Sequence, residues 1–430
     1  FFVITSIHCV WATIVVHSHF TPHLLIGATL LVITTSILVL IPYFAYVFAF
    51  VDPERVVARL QQHSLAEAGG RSTADVETRQ RRVLAGTEQL ADVAINAVSN
   101  KDRIIASRAV DALKDLACSY MPIKQRLRDR WFTIGPALRQ NPDFTVMAEP
   151  SVADLSEGRT WLEFKVLRQY QTIYNECLNR MRDISQLVAI NTRYLGEVAI
   201  DRDDSAVLRL VIKFFNTYLR ATINGRDVRT AYNVLHQYRQ LAETVLRANL
   251  DDLVVELALY FKYYGQTANQ VGLSFITETA AYDMCQLCQV AHEVNSVEEW
   301  SLLDTFLEVD KAPESEAEER SLRGVRKAQI KLATYYLTAG AEPLARLIWR
   351  DMENERAERL LSIREEILAV EHKDFWEIVD RGDNLDYLDP ERRQQLHVFF
   401  GWFAALAPKL GAVAPAAAEG GGGTVSYTHL

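Results

Sequence analysis

Apolar and polar positions divide the chain into an uncharged opening and a long remainder with helical periodicity. Residues 24–51 are 28 positions without a formal charge, most of them apolar. A helix of that length measures ~42 Å at ~1.5 Å per residue, against ~30 Å of bilayer hydrocarbon. It is predicted to span a membrane, kinked at Pro42, with Tyr43, Phe44, Tyr46, Phe48 and Phe50 at the level of an interfacial aromatic belt. Residues 1–16 form a second apolar run, just short of a crossing, and read as a truncated preceding span; residues 17–23 read as the connector. The expected unit over 1–51 is a transmembrane helical hairpin. A cleaved signal peptide fits less well, because two apolar runs occur and no basic segment precedes them.

From Asp52 onward the spacing is that of amphipathic helices. Asp52-Pro53-Glu54 reads as a helix start, with Asp as cap and Pro in the first turn. Leu90, Val93, Ala94, Ala97 and Val98, then Ile105, Ala109, Ala112, Leu113 and Leu116, form two stripes at 3/4 spacing around a break at Ser99-Asn100. They predict an αα-hairpin. Residues 136–156 read as a loop, with a short strand at 144–147, and a long helical region follows from about 157 to 200. Beyond it come stripes such as Val207, Leu208, Val211, Phe214, Phe215 and Tyr218, then Ala231, Val234, Leu235, Tyr238, Leu241, Ala242 and Val245. Gly340 followed by Pro343 marks a helix stop and the next start. The fold class expected is all-α: the N-terminal hairpin, a membrane-proximal helical domain over 52–135, and over 157–407 a helical bundle or irregular α-solenoid. Its period reads as uneven, without a tetratricopeptide consensus. Residues 408–430 read as a disordered tail and 425–430 as non-native sequence.

Composition narrows the function classes. With 19 Gly and 12 Pro in 430 residues, long helices are favoured over turn-rich β architecture. A net charge of −9 argues against a general nucleic-acid binder. Five cysteines at this length form no disulfide framework. The first Asp, Glu, Lys or Arg in the chain is Asp52, and Arg55, Arg59, Arg71, Arg79, Arg81 and Arg82 follow, whereas the connector has no Lys or Arg. That asymmetry places the large domain on the cytoplasmic side of the plasma membrane and makes these arginines candidates for anionic head groups. The alternative for them is ordinary helix-surface charge, diluted by Asp75 and Glu77. The acidic stretch 308–319 reads as a solvated face.

Two constellations have metal-ligand chemistry. Cys285, Cys288 and His292 share one helix face, and Zn²⁺ accepts such donors but needs a fourth, for which Cys177 is the nearest in kind. Small cysteines packing in a helical core give the same pattern. His17, His19 and His23 cluster in the connector, where imidazoles bind Cu²⁺, Zn²⁺ or haem, or are simply tolerated polar residues. Phosphate-loop, nucleophile-elbow, H-E-x-x-H and di-iron E-x-x-H signatures are absent from the sequence.

Gln89, Leu90, Asp92, Ala94, Ala97 and Ser99, with Ala106, Ala109, Asp111 and Leu113, resemble a segment of a bacterial family of predicted integral membrane proteins of unknown function. The resemblance covers about residues 84–116 plus the anchor. At Asn100-Lys-Asp-Arg-Ile-Ile105 the chain departs from the family's N-D-P core. The resemblance implies a membrane protein and assigns no activity. The reading that follows is a non-enzymatic, membrane-anchored helical scaffold or sensor, without a cofactor, that binds a protein partner or forms a homo-oligomer. An oligomeric channel component and a metal or redox protein using Cys285, Cys288 and His292 are the alternatives.

Overall fold

Local sequence sets where several of the helices begin. The Asp52 carboxylate accepts from the Glu54 amide, Asp75 from Thr78, Asp102 from Ile105, Asp204 from Val207 and Asp227 from Thr230, each satisfying an amide that a helix N-terminus otherwise leaves unpaired. The computed structural model describes residues 2–15, 23–70, 73–310, 316–374, 384–403 and 406. It is all-α, with no strand among the described residues. The expected tail, 408–430, lies outside them.

Helices α1 (Phe2–Val15) and α2 (His23–Val51) pack against each other. Their polarity is the inverse of a water-soluble hairpin. Thr5 Oγ1 and Ser36 Oγ meet at 2.9 Å across the interface, and Thr29 and Ser36 are buried. Val3, Ile4, Ile7, Val10, Trp11 and Ile14 on α1, with Leu30, Leu31, Leu38 and Ile41 on α2, are exposed.

α3 (Pro53–Ala68), α4 (Val76–Ser99) and α5 (Arg103–Lys124) pack mutually. The segment expected as a loop with a strand is instead three short helices, α6 (Pro136–Arg139), α7 (Pro142–Thr145) and α8 (Glu149–Glu157). Each has a proline in its first turn, which starts helix as readily as it ends it. They close a small second core around Trp131, Phe144 and Trp161. The helical region read as continuous over 157–200 breaks at Leu178–Met181 into α9 (Trp161–Cys177) and α10 (Arg182–Asp201).

The period is regular where the sequence reads as uneven. α10, α11 (Ser205–Asn224), α12 (Val228–Arg247), α13 (Asp251–Gln270) and α14 (Ser274–Glu293) are each 20 residues long and begin every 23 residues. Their turns repeat too. Asp203, Arg226, Asn249, Gly272 and Asn295 all have φ between 52° and 73°. The next amide reaches back five residues: Asp204 to Ala199, Asp227 to Thr222, Leu250 to Val245, Leu273 to Ala268 and Ser296 to Ala291, at 2.8–3.2 Å. This is the left-handed helix stop that satisfies the last free carbonyls.

Alternate helices form two rows. α5, α10, α12, α14 and α16 (Glu316–Thr338) lie side by side in the first, ending on α19 (Pro390–Gly401). α4, α9, α11, α13, α15 (Glu299–Leu307) and α17 (Glu342–Asp351) make the second. α18 (Ala357–Leu368) packs on α16. One helix pair is therefore a 46-residue unit, within the range of helical-pair repeats. The core recurs at that interval: Val207, Leu208, Val211, Phe215 and Tyr218 are matched by Leu253, Val254, Leu257, Phe261 and Tyr264, all buried. Stacked rings bind neighbouring helices, with centroids 4.9 Å apart for Phe215–Tyr238 and 5.1 Å for Tyr238–Phe261.

Candidate functional site: a polar ladder along one row of helices

The flanks by which the helices of the first row meet one another repeat with the same 46-residue interval. Asn191, Gln237, Asp283 and Gln329 correspond; so do Arg193, Arg239, Cys285 and Lys331; so do Glu197, Glu243 and Gln289. Leu195, Leu241 and Leu287 between them point into the core and are buried. In α12 and α14 the amide or carboxylate position meets the arginine of the preceding row helix, whereas in α10 it donates to α5. Asn191 Nδ2 donates to Asp111 Oδ1 on α5 at 3.0 Å, and Arg193 Nε donates to Gln237 Oε1 on α12 at 2.8 Å. Arg239 Nε lies 3.1 Å from Asp283 Oδ1 on α14. Each arginine also pairs with the glutamate one turn on, Glu197 or Glu243. Burial raises the Glu243 pKa even against the pull of Arg239.

The ladder changes character at α14. Cys285 stands where an arginine stands in the two preceding units, and Gln289, which donates to Cys285 Sγ at 3.3 Å, stands where a glutamate does. Beyond it, residues 384–389 lie against α14 and α16. Lys331 Nζ donates to the Leu385 carbonyl at 2.7 Å, and Lys327 Nζ to Asp386 Oδ2 at 3.0 Å. Tyr282 Oη donates to Asp386 Oδ1, and Leu388 is buried. Lys327 also lies 3.1 Å from Glu366, which Arg323 pairs from its other side. Burial pushes the Glu278 carboxyl beside them up to about 7. Burial would lower the Lys327 pKa, but Asp386, Glu278 and Glu366 outweigh it and hold it above its ordinary value.

The sequence candidates are distributed differently. Cys285 and Cys288 are buried, and burial raises both thiol pKa values, which disfavours the thiolate that metal or redox chemistry uses. Cys288 occupies the small-residue position of the repeat, held by Gly196 and Ala242 in the units before it. His292 Nδ1 lies 2.8 Å from Glu299 Oε1, and its ring packs edge-on to Tyr335 and Tyr336. Cys177 is buried in α9. No group of three or more His, Cys, Asp or Glu placed to hold a metal occurs among the described residues. His17 and His19 lie outside those residues, and His23 begins α2.

Of the arginines read as lipid-facing, Arg79 turns inward, donating to the Glu67 carbonyl at 2.8 Å and the Ala68 carbonyl at 3.1 Å and stacking 4.8 Å over Trp131. Arg82 donates to Glu67 Oε1 at 2.7 Å, and Arg81 to Thr78 at 3.2 Å. Arg55 lies 3.4 Å from Asp52, Arg59 donates to the Arg55 carbonyl, and Arg71 is outside the described residues. The ladder itself escapes motif reading because its signal is a recurrence, N/Q/D-x-R-x-L-x-E, with two of its polar positions replaced in the third copy.

No protein-family model and no curated protein sequence matches the chain. Among solved structures it is similar to a "circular tandem repeat protein with novel repeat topology and enhanced subunit contact surfaces", 14% identical over 81% of this chain and 87% of that one, with a TM-score of 0.33. A likeness that slight bears no argument. The two rows and the 46-residue recurrence define the class without it: an all-α helical-repeat array.

Proposed function

We propose that this chain is a membrane-anchored helical-repeat scaffold that binds a protein partner or self-associates, and we assign it no catalytic step. The carrying observation is the inverted polarity of the α1–α2 pair. Hydroxyls meet between the helices while large apolar side chains face outward, the arrangement that lipid favours and water penalises. Residues 26–44 of α2 have the length and hydropathy of one membrane crossing. Arg55 and Arg59, the first basic residues after it, put the array on the cytoplasmic side of a bacterial plasma membrane in this reading. The row of helices then offers a long surface beneath the bilayer, and the surface of a repeat array is the part that engages partners.

Alkaline extraction of membranes tests the anchor. The full chain is expected in the pellet and a chain lacking residues 1–51 in the supernatant; full-length protein in the soluble fraction would refute it. Protease protection of sealed inverted vesicles tests the side, with residues 52–407 expected to be digested. A pull-down from native membranes tests for the partner.

A further inference from the structure

We propose that the surface of α14 and α16 around Tyr282, Lys327 and Lys331 is a recognition seat for a short turn segment carrying a carboxylate between large apolar residues. In this chain the seat is filled by residues 384–389, Asn-Leu-Asp-Tyr-Leu-Asp, and a partner protein's segment of the same chemistry competes for it.

The contacts are those of peptide capture. Successive residues of a non-helical segment supply a backbone carbonyl to Lys331, a carboxylate to Tyr282 and Lys327, and a leucine to a buried site. Main-chain contacts give affinity and the side-chain sites give selectivity. In the first two repeats, the Lys331 position belongs to an arginine that bridges to the next helix. Here it bridges to a turn, closed by the Tyr387 amide on the Asn384 carbonyl. The third repeat makes room, since Cys285 and Gln289 are shorter and uncharged where Arg and Glu would fill the face.

A seat that merely ended the array would be most stable if apolar, because partly buried ion pairs return little beyond their desolvation cost. This one concentrates Arg323, Lys327, Glu366 and Asp386. Such charges discriminate between segments. Exchange does not strand Lys327. Glu366 remains 3.1 Å away, and Glu278 lies across α16 at Gly324, where a Cβ would come within 2.8 Å of it. The lysine therefore keeps the Glu366 counter-charge when Asp386 leaves.

The proposal rests on the scaffold reading for the existence of a partner, but the seat is tested without it. The probe is a labelled peptide copying residues 384–390, added to the detergent-solubilised full chain. In Asp386→Ala/Leu388→Ala protein the peptide is expected to bind at least tenfold tighter than in wild type. Adding Lys327→Gln should cost that gain, as should an Asp386→Asn change in the peptide. An opened variant that melts like wild type and binds no peptide overturns the proposal, as does binding indifferent to Lys327. Should the opened variant unfold, wild type decides: millimolar peptide is expected to speed hydrogen exchange of the chain's own Asp386 and Tyr387 amides, and unchanged exchange refutes the seat. A chain that failed the extraction test would still give the peptide result, so the two failures are distinguishable.

Discussion

Gly196 marks the closest approach of α10 to its row neighbour. A Cβ there would lie 2.7 Å from Leu241 Cδ1 and 3.1 Å from Val211 Cγ1, and both partners are fully buried. Gly196→Ala is therefore expected to cost about 1–3 kcal/mol, the usual penalty for overpacking, read as a lower urea midpoint with an unchanged slope. The same repeat position tolerates Ala242 and Cys288, so clearance varies between units. Arg226 is the converse case. Its φ of 52° is strained for a residue with a Cβ and its side chain is exposed. Arg226→Gly is expected to gain a few tenths to about 1 kcal/mol, the relief of left-handed strain less the extra entropy of the unfolded glycine. Gly272 already occupies the matching turn one unit on.

Beside Lys327, Glu278 couples α14 to α16 and makes stability depend on pH. Facing it are Lys327 and the acids Asp386 and Glu366, with Tyr282, Arg323 and Lys331 around the same site. Its carboxyl is held at about 7, against 4.5 for a free glutamate side chain, mainly by burial. The folded state thus keeps a proton that the unfolded chain releases, so this group's contribution to stability falls as pH rises from about 4.5 through 7 and is constant above that. Glu278→Gln should flatten that slope and stabilise the protein at pH 8 by up to about 3 kcal/mol; parallel melts of the two proteins at pH 5 and pH 8 check it. Elements of this kind were only partly legible in the chain. The cap at Asp52, the stop at Gly340 and the stripe Val207–Tyr218 follow from local chemistry and are found where that chemistry puts them. The 136–156 segment is misread because prolines that break long helices also begin short ones. Cys285 and Cys288 look like half a metal site only until the third repeat is aligned with the first two. The seat on α14 and α16 could not be read at all, since it joins residues about 50 to 100 positions apart in sequence.

For the whole molecule, the two-row architecture makes the unit of tolerance 46 residues and not 23. Each helix packs on its row neighbours and on the adjacent helices of the other row, so stability is a sum of local interfaces and no single nucleus holds the array together. Removing residues 205–250 deletes α11 and α12 and joins α10 to α13. Row membership of every later helix is preserved, and α10 meets α14 with Arg193 opposite Asp283, an ionic contact in place of its present bond to Gln237. Removing only residues 205–227 deletes α11 and moves every later helix into the opposite row. Arg239, Glu243 and Asp283 move together and keep their pairs, but at the new junction Arg193 loses Gln237 and meets Tyr260 of α13 in its place, and the polar positions after the junction lie in the opposite row from those before it. The 46-residue deletion is expected to give a soluble or detergent-stable chain with proportionate helix content and a cooperative melt. The 23-residue deletion is expected to aggregate or melt without cooperativity. Equal behaviour of the two, by circular dichroism and size exclusion, would mean that the rows do not organise the fold.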